Sequence, residues 1–140
     1  MDDVAYVALG SNVGDREGNL RAASERIANI PGVTVIAATP IEETAPIGPV
    51  SQGAFLNQMM ALRTSIDPRA LLDALHAIED AGGRERAVRW GPRTIDLDIV
   101  AFEHATVNDA DLVVPHPEIP NRDFWQHELA LLRRGTERTR

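Results

Sequence analysis

Phe55-Leu56-Asn57-Gln58-Met59-Met60-Ala61-Leu62-Arg63-Thr64, with Ser65-Ile66-Asp67-Pro68 directly behind it, is the stretch on which the fold turns. Its first ten residues alternate as a strand does, with Phe55, Asn57, Met59 and Ala61 on one face and Leu56, Met60 and Leu62 on the other. Asp67 is a helix cap and Pro68 a first-turn residue. A helix follows that carries Leu71, Leu72, Leu75 and Ile78 inward until Gly82-Gly83 stops it. Upstream stands another strand, residues 33–39, separated from the first only by a long loop, 44–53, with two Pro and two Gly. Working outward, Val4-Ala5-Tyr6-Val7-Ala8-Leu9 reads as a buried strand running into the turn Gly10-Ser11-Asn12. Asp15 can cap a helix over 16–29 with Leu20, Ala23, Ser24 and Ile27 inside, and Pro31-Gly32 ends it. A polar loop, 84–93, leads into a strand at 95–102, and a last helix covers 122–132.

The order is β-α-β-β-α-β with a helix appended. This is the α+β, ferredoxin-like pattern: an antiparallel four-stranded sheet with helices on one face. The other face is expected to stay free for a site. The chain has 140 residues, which suits one domain over 1–132. The tail, 133–140, holds four Arg and nothing apolar, and is expected to fray.

Composition closes several doors. Cysteine is absent, which excludes disulfides, thiolate metal sites and a cysteine nucleophile. No apolar run approaches the ~18–20 residues that span a bilayer, and Met1-Asp2-Asp3 is acidic where a secretory signal is basic. The expectation is a cytoplasmic protein without a membrane. A net charge of −7 argues against a nucleic-acid binder. All 14 cations are Arg, and Arg84, Arg86, Arg89 and Arg93 fall within one short loop. Arg is the better bidentate clamp on phosphate, so an acidic chain with one tight Arg cluster suggests a small-anion site.

Beside that loop lies Asp96-Leu97-Asp98. On a strand both carboxylates face one way, ~6–7 Å apart, and repel each other unless a cation sits between them. Mg²⁺ takes such oxygen ligands and leaves positions for phosphate. Alone, the pair is a weak signal and reads better as a solvated strand face; its setting changes that. A metal pair next to guanidinium groups is what phosphoryl chemistry needs. Trp90, an aromatic in a Gly/Pro loop, suits a plug that excludes water when the loop closes. His116 is held between Pro115 and Pro117. Phe55 and Phe124 read as core residues singly; as a pair they could hold a flat heteroaromatic ring, with Asn57 bonding its edge. His76 and His104 lack metal-ligand spacing, His127 beside Glu128 in the last helix is expected to be exposed, and Gly10 with Gly14 makes no phosphate fingerprint.

Val7-Ala8-Leu9-Gly10-Ser11-Asn12, Phe55-Leu56-Asn57, Arg89-Trp90-Gly91-Pro92-Arg93-Thr94-Ile95-Asp96-Leu97-Asp98-Ile99 and Val114-Pro115-His116-Pro117 occur in that order. Together they resemble the 6-hydroxymethyl-7,8-dihydropterin pyrophosphokinases of folate biosynthesis, over nearly the whole chain. The resemblance implies transfer of the pyrophosphoryl group of ATP to the pterin's hydroxymethyl oxygen, releasing AMP, with two Mg²⁺ ions. By the same token Asp96 and Asp98 are metal ligands and, with Arg84 and Arg93, the catalytic set. ATP would be bound by Glu79, Arg84, Trp90, Arg93, Ile99, His116 and Arg122. The pterin would be bound by Gly10, Asn12, Thr44, Ile47, Phe55, Asn57, Asp96 and Phe124. A site built from one chain suits a monomer.

The chain departs from the family's pattern in places. The Arg loop is one residue shorter than in some members and has no Lys. His76 stands where Gln is common, and Ala45 where Pro often stands. Asp111 and Val113 replace cationic or hydroxyl contacts to the nucleotide, and the C-terminus stops early. These changes bear on affinity more than on reaction class. The alternative readings are a catalytically weakened paralogue that binds pterin or nucleotide, a metal-dependent nuclease and a ferredoxin-like regulatory domain.

Overall fold

The computed structural model describes residues 2–44, 54–83 and 94–138. β1 (Asp3–Ser11) is buried from Ala5 through Ser11, as only a central strand covered on both faces can be. It pairs antiparallel with β4 (Phe55–Thr64) on one side and β5 (Asp96–Phe102) on the other. β2 (Val33–Ala38) flanks β4, giving the order β2-β4-β1-β5. The ferredoxin-like α+β reading holds, with two amendments to the sheet. β1 continues through Gly10 and Ser11, where a turn was expected. A short strand, β3 (Glu42–Thr44), pairs with the start of β4, so Thr44 is sheet and not loop, and among the described residues this sheet has five strands.

α1 (Arg16–Ala28) and α2 (Pro68–Gly83) cover one face. Asp15 Oδ1 accepts the Gly18 N–H at 3.1 Å and Asp67 Oδ1 accepts the Ala70 N–H at 2.8 Å, as N-caps do. Leu20, Ala23 and Ile27 from α1 and Leu71, Leu75 and Ile78 from α2 pack on Val7, Leu9, Met60, Leu62, Leu97 and Ile99. The second face is not free along its length. α3 (Asp123–Arg138) lays Trp125, Leu129 and Leu132 on Tyr6, Ala8, Met59, Ala61 and Ala101. A register shift between Tyr6 and Val7 adds Val100 to the same side. Only the end of this face nearest Gly10 escapes α3's apolar side.

α3 also runs past 132, where the sequence reading ends the helix. Arg133 explains the extension: its guanidinium lies 5.3 Å from the Tyr6 ring centroid and its Nε 3.4 Å from Glu103 Oε1. A small hairpin, β6 (Val107–Asn108) with β7 (Val113–Val114), occupies a stretch read as loop. Arg69 on α2 grips its turn, with Nη1 2.8 Å from Asp111 Oδ2 and Nη2 3.0 Å from Asp109 Oδ2. Among the described residues no helix is long and apolar enough to cross a membrane.

Candidate active site

Three neighbouring strands present one residue each in register: Asn57 on β4, Gly10 on β1 and Asp96 on β5. Glu42 on β3 stands opposite Asn57. Directly paired residues share a face, so these four form one row across the sheet. The next row on that face runs Met59, Ala8, Asp98. Asp96 and Asp98 are half-buried while Ile95, Leu97 and Ile99, which alternate with them, are buried in the helical layer, as the alternation predicts.

Gly10 is where side chains converge. A Cβ there would stand 3.3 Å from Asn57 Oδ1 and 3.7 Å from Phe55 Cδ1, so the glycine lets both lean over β1. Asn57 is buried, and its Nδ2 donates to Thr44 Oγ1, which fixes the plane of the amide. Phe124 belongs to the first turn of α3 and packs at the margin of the second-face core. Asn12 lies just past the end of β1, half-buried. Ile47, Arg84, Trp90 and Arg93, with Arg86 and Arg89, lie outside the described residues.

Around the open edge of β5 lies a cleft of about 310 Å³, lined among others by Glu79, Asp98, Ile99, Asp111 and His116. Glu79 Oε2 accepts the Leu97 N–H at 2.9 Å, which places its carboxylate between the two aspartates' backbone positions. His116 is seated by its own N–H, 2.8 Å from Val100 O, and its ring stands edge-on to Trp125 at 4.9 Å. Burial pushes the imidazole below its usual pKa; the Asp98 carboxylate opposes this and Arg122 adds to it. Nδ1 accepts the Glu118 N–H at 3.0 Å, so the neutral ring carries its proton on Nε2. The Arg122 guanidinium lies over the Trp125 ring, 4.4 Å from its centroid, with its Nε buried and without a hydrogen-bond partner.

Thus Glu79, Ile99 and His116 meet Asp98 at one cleft, and Gly10, Thr44, Phe55 and Asn57 meet Asp96 on the adjoining face. Asp111, which as a free acid would repel a nucleotide, has its charge engaged by Arg69; that contact holds its carboxyl below the usual range. Two residues escaped the sequence reading. Trp125 supports both His116 and Arg122, and its spacing to Leu129 and Leu132 was the available signal. Glu128 is 1% exposed, and burial, then Glu42, push its carboxyl up to about 7 against a hydrogen bond from Thr39.

The donor set for a metal is all oxygen. No three of His, Cys, Asp and Glu stand close enough among the described residues to hold a metal ion between them. Mg²⁺ needs no such cage, because it is typically held by one or two carboxylates and completes its shell with water and substrate phosphate. Asp96 and Asp98 fit an ion of that kind.

The family model for 7,8-dihydro-6-hydroxymethylpterin-pyrophosphokinase matches residues 6–134. The chain is 45% identical over 130 residues to the 2-amino-4-hydroxy-6-hydroxymethyldihydropteridine pyrophosphokinase of Bacillus subtilis, covering 93% of this chain and 78% of that one. The protein of the same description in Methylorubrum extorquens is 44% identical over 120 residues, 86% of this chain and 76% of the relative. The bifunctional protein FolKE of Lactococcus lactis is 37% identical over 119 residues, 85% of this chain and 34% of its own length. With the match spanning both β1 and α3, the chain belongs to the 7,8-dihydro-6-hydroxymethylpterin-pyrophosphokinase family.

Proposed function

We infer that the chain transfers a pyrophosphoryl group to the hydroxymethyl oxygen of 6-hydroxymethyl-7,8-dihydropterin, a step of folate biosynthesis, and takes that group from ATP. The hydroxymethyl oxygen attacks the β-phosphorus, the bond from Pβ to the α–β bridging oxygen breaks, AMP leaves, and the alcohol's proton passes to solvent. The carrying observation is the row Asn57, Gly10, Asp96, in which a slot floored by glycine and edged by an amide adjoins two carboxylates.

In this reading Asn57, oriented by Thr44, bonds the edge of the pterin, and Phe55 and Phe124 take its faces, with Asn12 and Ile47 completing the wall. Glu79, Ile99 and His116 line the nucleotide's side, where Nε2 of His116 donates to phosphate oxygen. The Arg122 Nε, buried with no partner, supports an anion between the two substrates. Asp96 and Asp98 would hold Mg²⁺, two ions by family resemblance, which supplies charge neutralisation and alignment of the phosphates. Arg84 and Arg93 would add the remaining positive charge and Trp90 would exclude water. No side chain is needed as a strong base, since positioning and charge dominate phosphoryl transfer. All these groups come from one chain, so a monomer in the cytoplasm, with ATP at hand, suffices.

The test is product identity. Protein, ATP, Mg²⁺ and the reduced hydroxymethylpterin should yield AMP and the pterin diphosphate in equal amounts. Asp98→Ala should lower the rate by about 10³-fold with the thermal transition preserved. ADP as the product, or wild-type rates in Asp98→Ala, would overturn the assignment.

A further inference from the structure

Glu128 is a buried acid with no part in the transfer just described. It stands one helical turn beyond Phe124, on the same side of α3. Its Oε2 lies 3.4 Å from the Thr39 hydroxyl, and its Oε1 is buried with no hydrogen-bond partner. Thr39 links β2 to β3 and is tied firmly to β4. Its N–H donates to Met59 O at 2.9 Å, its Oγ1 accepts the Met59 N–H at 3.0 Å, and its carbonyl accepts from Gln58 Nε2 at 2.9 Å. Glu128 therefore connects α3, which carries Phe124, to the β3–β4 corner, which carries Thr44, Phe55 and Asn57.

The charges around it are few. Glu42 on β3 is the group whose field acts on Glu128. β2 has no ionisable side chain, and Arg63 on β4 is exposed, as are Asp123, His127, Arg133 and Arg134 on α3. An ionised Glu128 would be a buried charge facing a like charge, with one long hydrogen bond to offset it.

We propose that Glu128 is a positioning residue for the pterin: its neutral carboxyl lets α3 seat Phe124 against the β3–β4 corner, and its ionisation drives the two walls of the slot apart. The proposal rests on the reading of Thr44, Phe55, Asn57 and Phe124 as that slot. The proton lost goes to solvent, and the ionised acid relieves its burial and the repulsion from Glu42 by moving outward with α3. Burial lifts the carboxyl up to about 7, so the slot is closed below that pH and loosens above it.

The experiment is calorimetric binding of 6-hydroxymethyl-7,8-dihydropterin, alongside kcat and both KM values, from about pH 6 to about pH 8.5. In the wild type Kd and the pterin KM should rise roughly tenfold across that range, as expected for loss of a closed state on ionisation. Glu128→Gln should hold both nearly flat, and Glu42→Gln should shrink the rise. The pH profile of kcat should be the same in all three. Ionisation of the ligand itself acts equally on every variant, so the difference between slopes is the readout. The wild-type slope persisting in both variants would overturn the proposal. Asn57→Ala separates this failure from failure of the slot reading. If it weakens pterin binding while those slopes coincide, only the role of Glu128 falls. If it binds as the wild type does, the slot reading falls too.

Discussion

Gly10 is a glycine for want of space, not for its backbone angles: positive φ among the described glycines is confined to Gly14 and Gly32. At 3.3 Å from Asn57 Oδ1, a methyl group would displace the amide by a few tenths of an ångström, and the Thr44 hydroxyl that orients it would have to follow. Gly10→Ala should therefore weaken pterin binding by about tenfold, an energy near that of one lost hydrogen bond. The ATP KM should stay unchanged, and steady-state kinetics with each substrate varied in turn will show the split. At this scale much of the site was legible. Asp96 and Asp98 were readable because strand alternation forces both outward past buried Leu97, whatever the rest of the fold does. Glu128 was not, because an acid in an amphipathic helix looks the same whether solvent or another element lies opposite. Trp125 was hidden by the same ambiguity, since core aromatics and site aromatics share one spacing.

Elements were readable in proportion to their length. α2 announced itself through Asp67-Pro68 and four inward apolar residues, and it starts as read and continues through Gly82-Gly83, the last described residues of that segment. β3 has three residues, two of them Glu, and exists because the start of β4 offers it unpaired backbone; nothing in Glu42-Glu43-Thr44 itself requires a strand. The hairpin of β6 and β7 has two residues a side, too short for any period to register. It is anchored by Leu112 and Val114, buried in the helical-side core, while Arg69 reaches from α2 to hold its turn at Asp109 and Asp111. Exposed ion pairs contribute little to global stability, so Arg69→Ala should leave the thermal transition almost unmoved. It should free the turn that carries Asp111 at the proposed nucleotide cleft and release an uncompensated negative charge there. The expected result is an ATP KM several-fold higher, with the pterin KM unchanged and an effect that shrinks in high salt. An unaltered ATP KM would mean that the hairpin does not shape the nucleotide site.

Across the whole molecule, the sheet is a partition with a helical core on one side and a divided face on the other. The division was not legible, since the periodicity of α3 shows that it is amphipathic but not where it docks. One consequence is a pH-dependent stability. Glu128 binds its proton more tightly folded than unfolded, so stability is highest while both states are protonated. It falls as pH rises from the ordinary glutamate range to about 7. Above that the full cost remains, on the order of 3 kcal/mol. Glu128→Gln should thus be more stable than wild type at about pH 8, with the gain vanishing near pH 4, as denaturant titration at the two pH values will reveal. A second consequence comes from the row of Asn57, Gly10 and Asp96. Those residues sit on successive strands, so if Asn57 anchors the pterin and Asp96 serves the phosphates as proposed, the distance between the two is counted in sheet spacings, two of about 4.8 Å each. That interval is written in backbone hydrogen bonds. On that proposal the length of arm between a substrate's ring and its reacting oxygen would be gauged by the scaffold, and exchanging a single side chain in the pocket should not reset it.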